Sequence, residues 1–365
     1  MKELEQKTLF IYCLRKKGSY LRALKETLKC RFNAIFSIET LSEILIELGL
    51  ELPSEKSIQL IKQDLDKWLA SGIRTISLNE ENYPELLKQI ADPPPILFYR
   101  STLQMPVELP PMISIVGSRK AGPEGIEFAK YLGSELAKNG VCVVSGLALG
   151  IDACAHLGAL ESNLELPTIA VLGNGLDRIY PSSNRPISNR ILQSGGILLS
   201  QFEPDEKPFP ANFLNRNRVI AGLSIATIVV QAAKRSGSLA TARYAVESGR
   251  EVFAVPGLPS HKMYEGTNNM IKQGARLISS IDDVFDEFPE LKTLRTSQSQ
   301  PLSQLEQDLI CLIHEKGQVS TDRLGKLIAS SSELAIIMLE LEEKGLVRKI
   351  PGNFYTLSAR ALDRG

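Results

Sequence analysis

The chain has 365 residues, 43% of them apolar, enough to fill the cores of two or three domains. Its 42 basic and 42 acidic residues cancel, so a globally basic nucleic-acid coat is excluded and any polyanion site must come from local concentration of charge. The five cysteines (Cys13, Cys30, Cys142, Cys154, Cys311) form no C-x-x-C pair, and the opening "MKELEQKTLF" lacks a signal peptide's apolar core. A disulfide scaffold, a zinc site and a membrane span are therefore not expected, and a soluble cytoplasmic protein is.

In chain order, residues 1–91 are rich in Leu, Ile, Lys and Glu, with amphipathic patterns such as "TLSEILIELGL" and "SIQLIKQDLDKWLASG". They read as a small helical domain. Residues 92–111, "DPPPILFYRSTLQMPVELPP", favour extended backbone and read as a connector. From 112 to 288 short β-branched runs alternate with helical segments: "ISIVG", "VCVVSG", "TIAVLG", "GILLS", "IATIVVQA", "EVFAVPG" and "ARLIS". Their continuous apolar character predicts a parallel sheet buried on both faces, in an α/β, Rossmann-like, doubly wound domain. Residues 289–304 are polar and read as a linker. Residues 305–365 give three helical patterns and a β-like pair around "IPGN", the order of a winged-helix domain. Its third helix, "SSELAIIMLELEEKG", carries four glutamates and one lysine, which argues against reading duplex DNA and for a protein contact. Arg348 and Lys349 in the wing partly offset that acidity.

In the middle region the positions of the charges matter more than their balance. Arg119 and Lys120 follow the first run, Arg178 and Arg185 the third, Arg216 and Arg218 the fourth, Lys234 and Arg235 the fifth. In a parallel doubly wound sheet such positions gather at one rim, where helix N-termini also present free N–H groups. The turns "GSRKAGPEG", "SGLALGIDACAH", "VLGNGLDRIYP" and "RSGSLATARYA" place small residues there, including Gly117, Ser118, Gly146 and Gly237, and let a phosphate approach backbone amides. No G-x-x-x-x-G-K-[ST] occurs, and "GSRKAGPEG" is not a dinucleotide fingerprint, so no nucleotide cofactor is expected. Asp152 and His156, four apart on a helix, read as packing under the rim, and no nucleophile or metal cluster accompanies them. Glu203, Asp205 and Glu206 read as a solvated acidic loop. In "EKPFPANFLNRNRVIAGLS" the arginines and Asn217 suit phosphate and base edges, while Phe213 either stacks on an unpaired base or packs in the core.

These motifs resemble the DprA/Smf (DNA processing A) family. The resemblance rests on "SIVGSRKAG", "SGLALGIDACAH", "AVLGNGLDRIYP", "NFLNRNRVIAGLS", "VVQAAKRSGSLATARYAVESGREVFAVPG" and "GTNNMIKQGA", in order over 112–280, with "NYPELLKQIADPPPILFYR" upstream also fitting. It implies a non-enzymatic, single-stranded-DNA-binding recombination mediator. Such a protein protects incoming single strands and loads the recombinase RecA during natural transformation, pairing as a homodimer through the Rossmann-like domain. It implies DNA contacts at Arg119, Arg216, Arg218 and Arg235, beside Gly117, Ser118, Lys120, Gly146, Phe213, Asn217, Lys234 and Gly237. It departs from the family's usual F-P-R-R-N-R at Leu214 and Asn215, one cation fewer, and Ser101 stands where a glycine is common. The N-terminal region, of SAM or helix-hairpin-helix type in relatives, lacks the G-x-G turns that make DNA binding legible there. The competing expectation is a nucleoside-monophosphate hydrolase of the lysine-decarboxylase-like family, whose P-G-G-x-G-T-x-x-E motif would align with "RSGSLATARYAVE" and keep Glu247. Arg235 and Ser236 replace its tight glycine turn and disfavour it.

Overall fold

Alternation of apolar runs with helices builds a nine-stranded sheet in the order β1-β2-β6-β5-β4-β3-β7-β8-β9. The computed structural model describes residues 2–21, 23–24, 38–102, 104–106, 108–162, 164–291, 303–325, 331–343, 347–350 and 352–357. They form two compact units, Met1–Val284 and Phe285–Gly365.

The first unit opens with α1 (Lys2–Lys16), α2 (Ile38–Glu47) and α3 (Glu55–Ala70). Ser54 caps α3 by accepting the Ser57 N–H, and α3 buries Ile61 and Trp68. The Trp68 ring stands edge-on to Phe98 at 5.3 Å, which fastens the helices to the sheet. Then come β1 (Ile73–Ser77), α4 (Glu85–Lys88), β2 (Ile96–Arg100), β3 (Met112–Val116), α5 (Pro123–Lys138), β4 (Cys142–Ser145) and α6 (Ile151–Ala159). The chain continues through β5 (Thr168–Leu172), α7 (Arg185–Gln193), β6 (Ile197–Ser200), α8 (Pro210–Leu223), β7 (Ala226–Val229), α9 (Ser238–Glu247), β8 (Glu251–Ala254), α10 (Glu265–Lys272) and β9 (Arg276–Leu277).

The seven predicted runs form β3 to β9, and every pairing among these seven is parallel. β3 and β5 are buried at every residue because helices cover both faces. Ser114 survives inside β3 by donating to Thr227 Oγ1 at 2.7 Å. Successive strands step one way from β3 to β6 and the other way from β7 to β9, so the winding reverses between β3 and β7.

Two expectations change. β1 lies inside the stretch read as purely helical, and β2 inside the stretch read as a connector. Both extend the sheet antiparallel, β1 on β2 and β2 on β6. The prolines before Ile96 precede the strand rather than interrupt it, so the ladder keeps its donors. The acidic loop is not simply solvated either: Glu203 accepts two hydrogen bonds from Arg15, at 2.8 and 2.6 Å.

The second unit contains α11 (Gln304–Lys316), β10 (Gln318–Ser320), α12 (Thr321–Leu324), α13 (Ser331–Glu343), β11 (Val347–Ile350) and β12 (Phe354–Leu357). Ser303 and Glu306 close a capping box at the start of α11. The strands form an antiparallel sheet in the order β10-β12-β11 over a core that includes Leu309, Ile313, Leu334, Met338, Leu341 and Tyr355. Most of the stretch read as a linker, residues 292–302, lies outside the described residues. Among the described residues no helix is long and apolar enough to cross a membrane.

Candidate functional site

Where the winding reverses, the loops after β3 and β7 part and a groove of about 830 Å³ opens. That is the position at which doubly wound sheets take ligands. Gly117, Ser118, Arg119 and Lys120 line one side, and Arg235, Ser236, Gly237 and Ser238, at the start of α9, another. Phe213, Leu214, Arg216 and Asn217 of α8 face it, and Tyr180, Asp152 and Met263 are also in the lining.

Much of the 117–120 loop's backbone is already committed. The Ser118 N–H donates to the Gln231 carbonyl at 2.8 Å, the Lys120 N–H to Ser118 Oγ at 3.0 Å, and the Gly122 N–H to Gln231 Oε1 at 2.9 Å. Gln231 Nε2 in turn donates to Glu124 Oε1 at 3.0 Å. The Ile151 N–H donates to the Ser118 carbonyl at 3.2 Å. Gly150, at φ +75°, makes that approach feasible, since a Cβ there would stand 2.3 Å from the Ser118 oxygen. With the Ser118, Lys120 and Gly122 N–H groups spent internally, the loop keeps fewer amides for a phosphate than a P-loop does. Binding an anion here falls to the exposed side chains of Arg119 and Lys120.

The aromatic alternative resolves toward the groove. Phe213 is half-buried in the wall, with the Arg119 guanidinium 5.5 Å from its ring centroid. The Tyr180 ring lies 5.5 Å from the same ring, tilted by 45°, and Tyr180 is 47% exposed. The two rings thus stand together in the groove wall beside the exposed Arg119.

Arg216 was expected on the rim, but it is 4% exposed and points beneath it. Its Nη1 donates to the Gly146 carbonyl at 2.6 Å and to the Val171 carbonyl, and its Nε donates to Asn217 Oδ1 at 3.1 Å. It thereby ties the ends of β4 and β5 together. Gly146 is small for this reason: a Cβ there would run into the Arg216 guanidinium. Asp152 accepts the Gly146 N–H at 3.1 Å. Burial pushes the Asp152 carboxyl up, opposed by the charge of Arg216 and by the backbone N–H groups of Ala148 and Gly146. Burial likewise brings Arg216 down to about 10, with Asp152 pulling it back up, so it stays charged at neutral pH.

Other expected site residues part company. Arg218 turns away from the groove, donating to the Asp92 carbonyl and, at 2.6 Å, to Gln201 Oε1. It lines a separate cavity with Arg15, Glu203 and Asn212. Lys234 is exposed outside the groove lining, 3.5 Å from Glu265. Arg178 and Arg185 are exposed but also outside the lining. Asn217 donates to the Gly237 carbonyl at 3.3 Å, joining α8 to the α9 turn. The convergence of four basic clusters is therefore corrected to three exposed cations, Arg119, Lys120 and Arg235, over one buried arginine.

His156 does not pair with Asp152. The Thr168 hydroxyl donates to the Val143 carbonyl at 2.6 Å, so it can only accept from His156 Nδ1, also at 2.6 Å. Burial pushes His156 down to about 3, aided by the charge of Arg216. Glu247, the residue the hydrolase reading would keep, is exposed at the C-terminal end of α9, whereas the groove meets the N-terminal end. Among the described residues no cluster of three His, Cys, Asp or Glu suits a metal ion. Sequence reading missed Gln231, which organises the loop. Its one signal was a polar residue at the end of an apolar run. It also missed Tyr180, inconspicuous before a proline.

The family model described as "DNA recombination-mediator protein A" matches residues 74–289. The DNA processing protein DprA of Bacillus subtilis is 40% identical over 219 residues, covering 60% of this chain and 72% of that protein. Protein Smf of Escherichia coli is 35% identical over 295 residues, 77% of each chain. The X-ray structure of DNA processing protein A from Streptococcus pneumoniae superposes with a TM-score of 0.60 at 32% identity, covering 77% of this chain and 97% of that one. A structure of DNA processing protein A from Helicobacter pylori, described for its single-stranded DNA binding mode, gives 0.53 at 32% identity over 60% of this chain and 96% of that one.

Proposed function

The chain belongs to the family of DNA recombination-mediator protein A, and from that premise we propose that its groove holds single-stranded DNA without turning it over. A DNA-processing, recombination-mediator role comes with the membership. The observation that carries the finer reading is the junction of three exposed cations with the rings of Phe213 and Tyr180, at the switch point of the sheet. Arg119, Lys120 and Arg235 clamp phosphates, Gly117, Ser118 and Gly237 let the strand approach, and Phe213 stacks on a base of any identity. Asn217 and Arg216 hold the groove's shape from below. The bound strand is protected and passed to the recombinase RecA during uptake of DNA in the cytoplasm, by a homodimer paired through this domain. The second unit's element order is that of a winged helix.

The test is binding of a labelled oligo-dT of about 30 nucleotides across a salt series. With one phosphate neutralised by each of the three exposed cations, the slope of log affinity against log salt is about −2, from roughly −0.7 per phosphate for single strands. A slope near −1, matched by competition from a nucleoside monophosphate, would overturn the reading in favour of a mononucleotide site.

A further inference from the structure

In the second unit α13 carries Glu333, Glu340, Glu342 and Glu343 and no Lys or Arg. Helical spacing divides it sharply. Leu334, Met338 and Leu341 enter the core, while Ala335, Ile336 and Leu339 lie on the opposite, exposed face. Ile336 and Leu339 are 59% and 57% exposed. Glu333 and Glu340 fall along one edge of this apolar stripe and Glu342 along the other, all three exposed. Glu342 Oε1 accepts the Lys349 backbone N–H at 3.2 Å, which steadies that edge against β11.

An exposed aliphatic stripe with two carboxylates along one edge and one on the other is the complement of one ligand chemistry. We infer that the exposed face of α13 docks a basic, amphipathic helix of a partner protein, its apolar face on Ile336 and Leu339 and its Lys or Arg residues beside Glu333, Glu340 and Glu342. Charge decides between occupants. A phosphate backbone laid on this helix meets carboxylates at both edges and no cation along α13. A second copy of the same face brings like charges together along those same edges. A cationic amphipathic helix buries the stripe and neutralises both edges.

The test uses the full chain and a fluorescent amphipathic Leu/Lys peptide about five turns long, with a Leu/Glu peptide of the same pattern as control. The Leu/Lys peptide binds and is released by salt, and the Leu/Glu peptide does not bind. The surface variants Ile336→Ser/Leu339→Ser and Glu333→Lys/Glu340→Lys each weaken binding by about tenfold, the scale of losing an interface anchor. Both keep wild-type oligo-dT affinity, which separates this surface from the groove. Equal peptide affinity in wild type and variants would overturn the inference. So would a fall in molecular mass by light scattering in the Ile336→Ser/Leu339→Ser variant, which assigns the stripe to a second copy. A loss of duplex or single-strand DNA binding in that variant assigns it to nucleic acid and overturns it equally.

Discussion

Residues 117–120 and 213–218 both bring arginine to the same groove, and the two segments use it in opposite ways. In the loop, backbone amides donate to oxygens of Gln231 and Ser118, and the side chains of Arg119 and Lys120 are left exposed. In α8 the helical register decides. Phe213, Arg216, Asn217 and Ile220 share the groove-facing stripe, and Asn212, Asn215 and Arg218 line the cavity on the other side. Arg216 then becomes a strut between two strand ends, and Arg218 a clip onto the segment before β2. Standing after a strand thus brings a cation near the rim. Whether it meets ligand or carbonyl oxygen depends on what the local backbone leaves unsatisfied.

Arg216→Ala carries the largest expected effect. It strands two carbonyls and removes the positive charge that offsets buried Asp152, so unfolding of the first unit in urea is expected to lose about 3–5 kcal/mol. A loss below about 0.5 kcal/mol would place Arg216 with the surface cations instead.

The buried side of the groove is also expected to respond to acid. His156 ionises near 3 in the fold against 6.5 ordinarily, so below 6.5 the unfolded chain takes up a proton that the folded chain refuses. The stability contributed by keeping His156 neutral is complete above pH 6.5 and is lost progressively as pH falls toward 3. The slope approaches about 1.4 kcal/mol per pH unit at most. His156→Asn should flatten the stability–pH curve in that window, and an unchanged curve would show that His156 is not held neutral.

Arg218→Ala is expected to cost about 1–3 kcal/mol, because it empties a largely buried donor position opposite Asp92 and Gln201. Arg119→Ala should leave stability within about 0.5 kcal/mol, since its side chain is exposed. Its effect belongs in DNA binding, about equally for every base sequence.

The sheet was largely readable in the sequence because parallel strands buried on both faces write themselves as unbroken apolar runs, as in "TIAVL" and "MISIV". β1 and β2 were not. "IRTIS" carries a charge and two hydroxyls, and "ILFYR" sits behind three prolines. That the cations and glycine turns after the strands gather at one rim was legible, whereas the groove's place between β3 and β7 needed the strand order. The inward course of Arg216 was not legible, because it depends on two carbonyls from strands about 45 and 70 residues away in sequence. Pairings of that kind leave no local spacing to read.

The difference between the two segments is tested most directly by the salt dependence of oligo-dT binding in Arg119→Ala and Arg218→Ala beside wild type. Arg119→Ala should flatten the slope by about 0.7, one phosphate contact, with an unchanged urea midpoint. Arg218→Ala should lower the urea midpoint and leave the slope as in wild type. A flattened slope in Arg218→Ala with none in Arg119→Ala would reverse the assignment and place the DNA on the other side of α8.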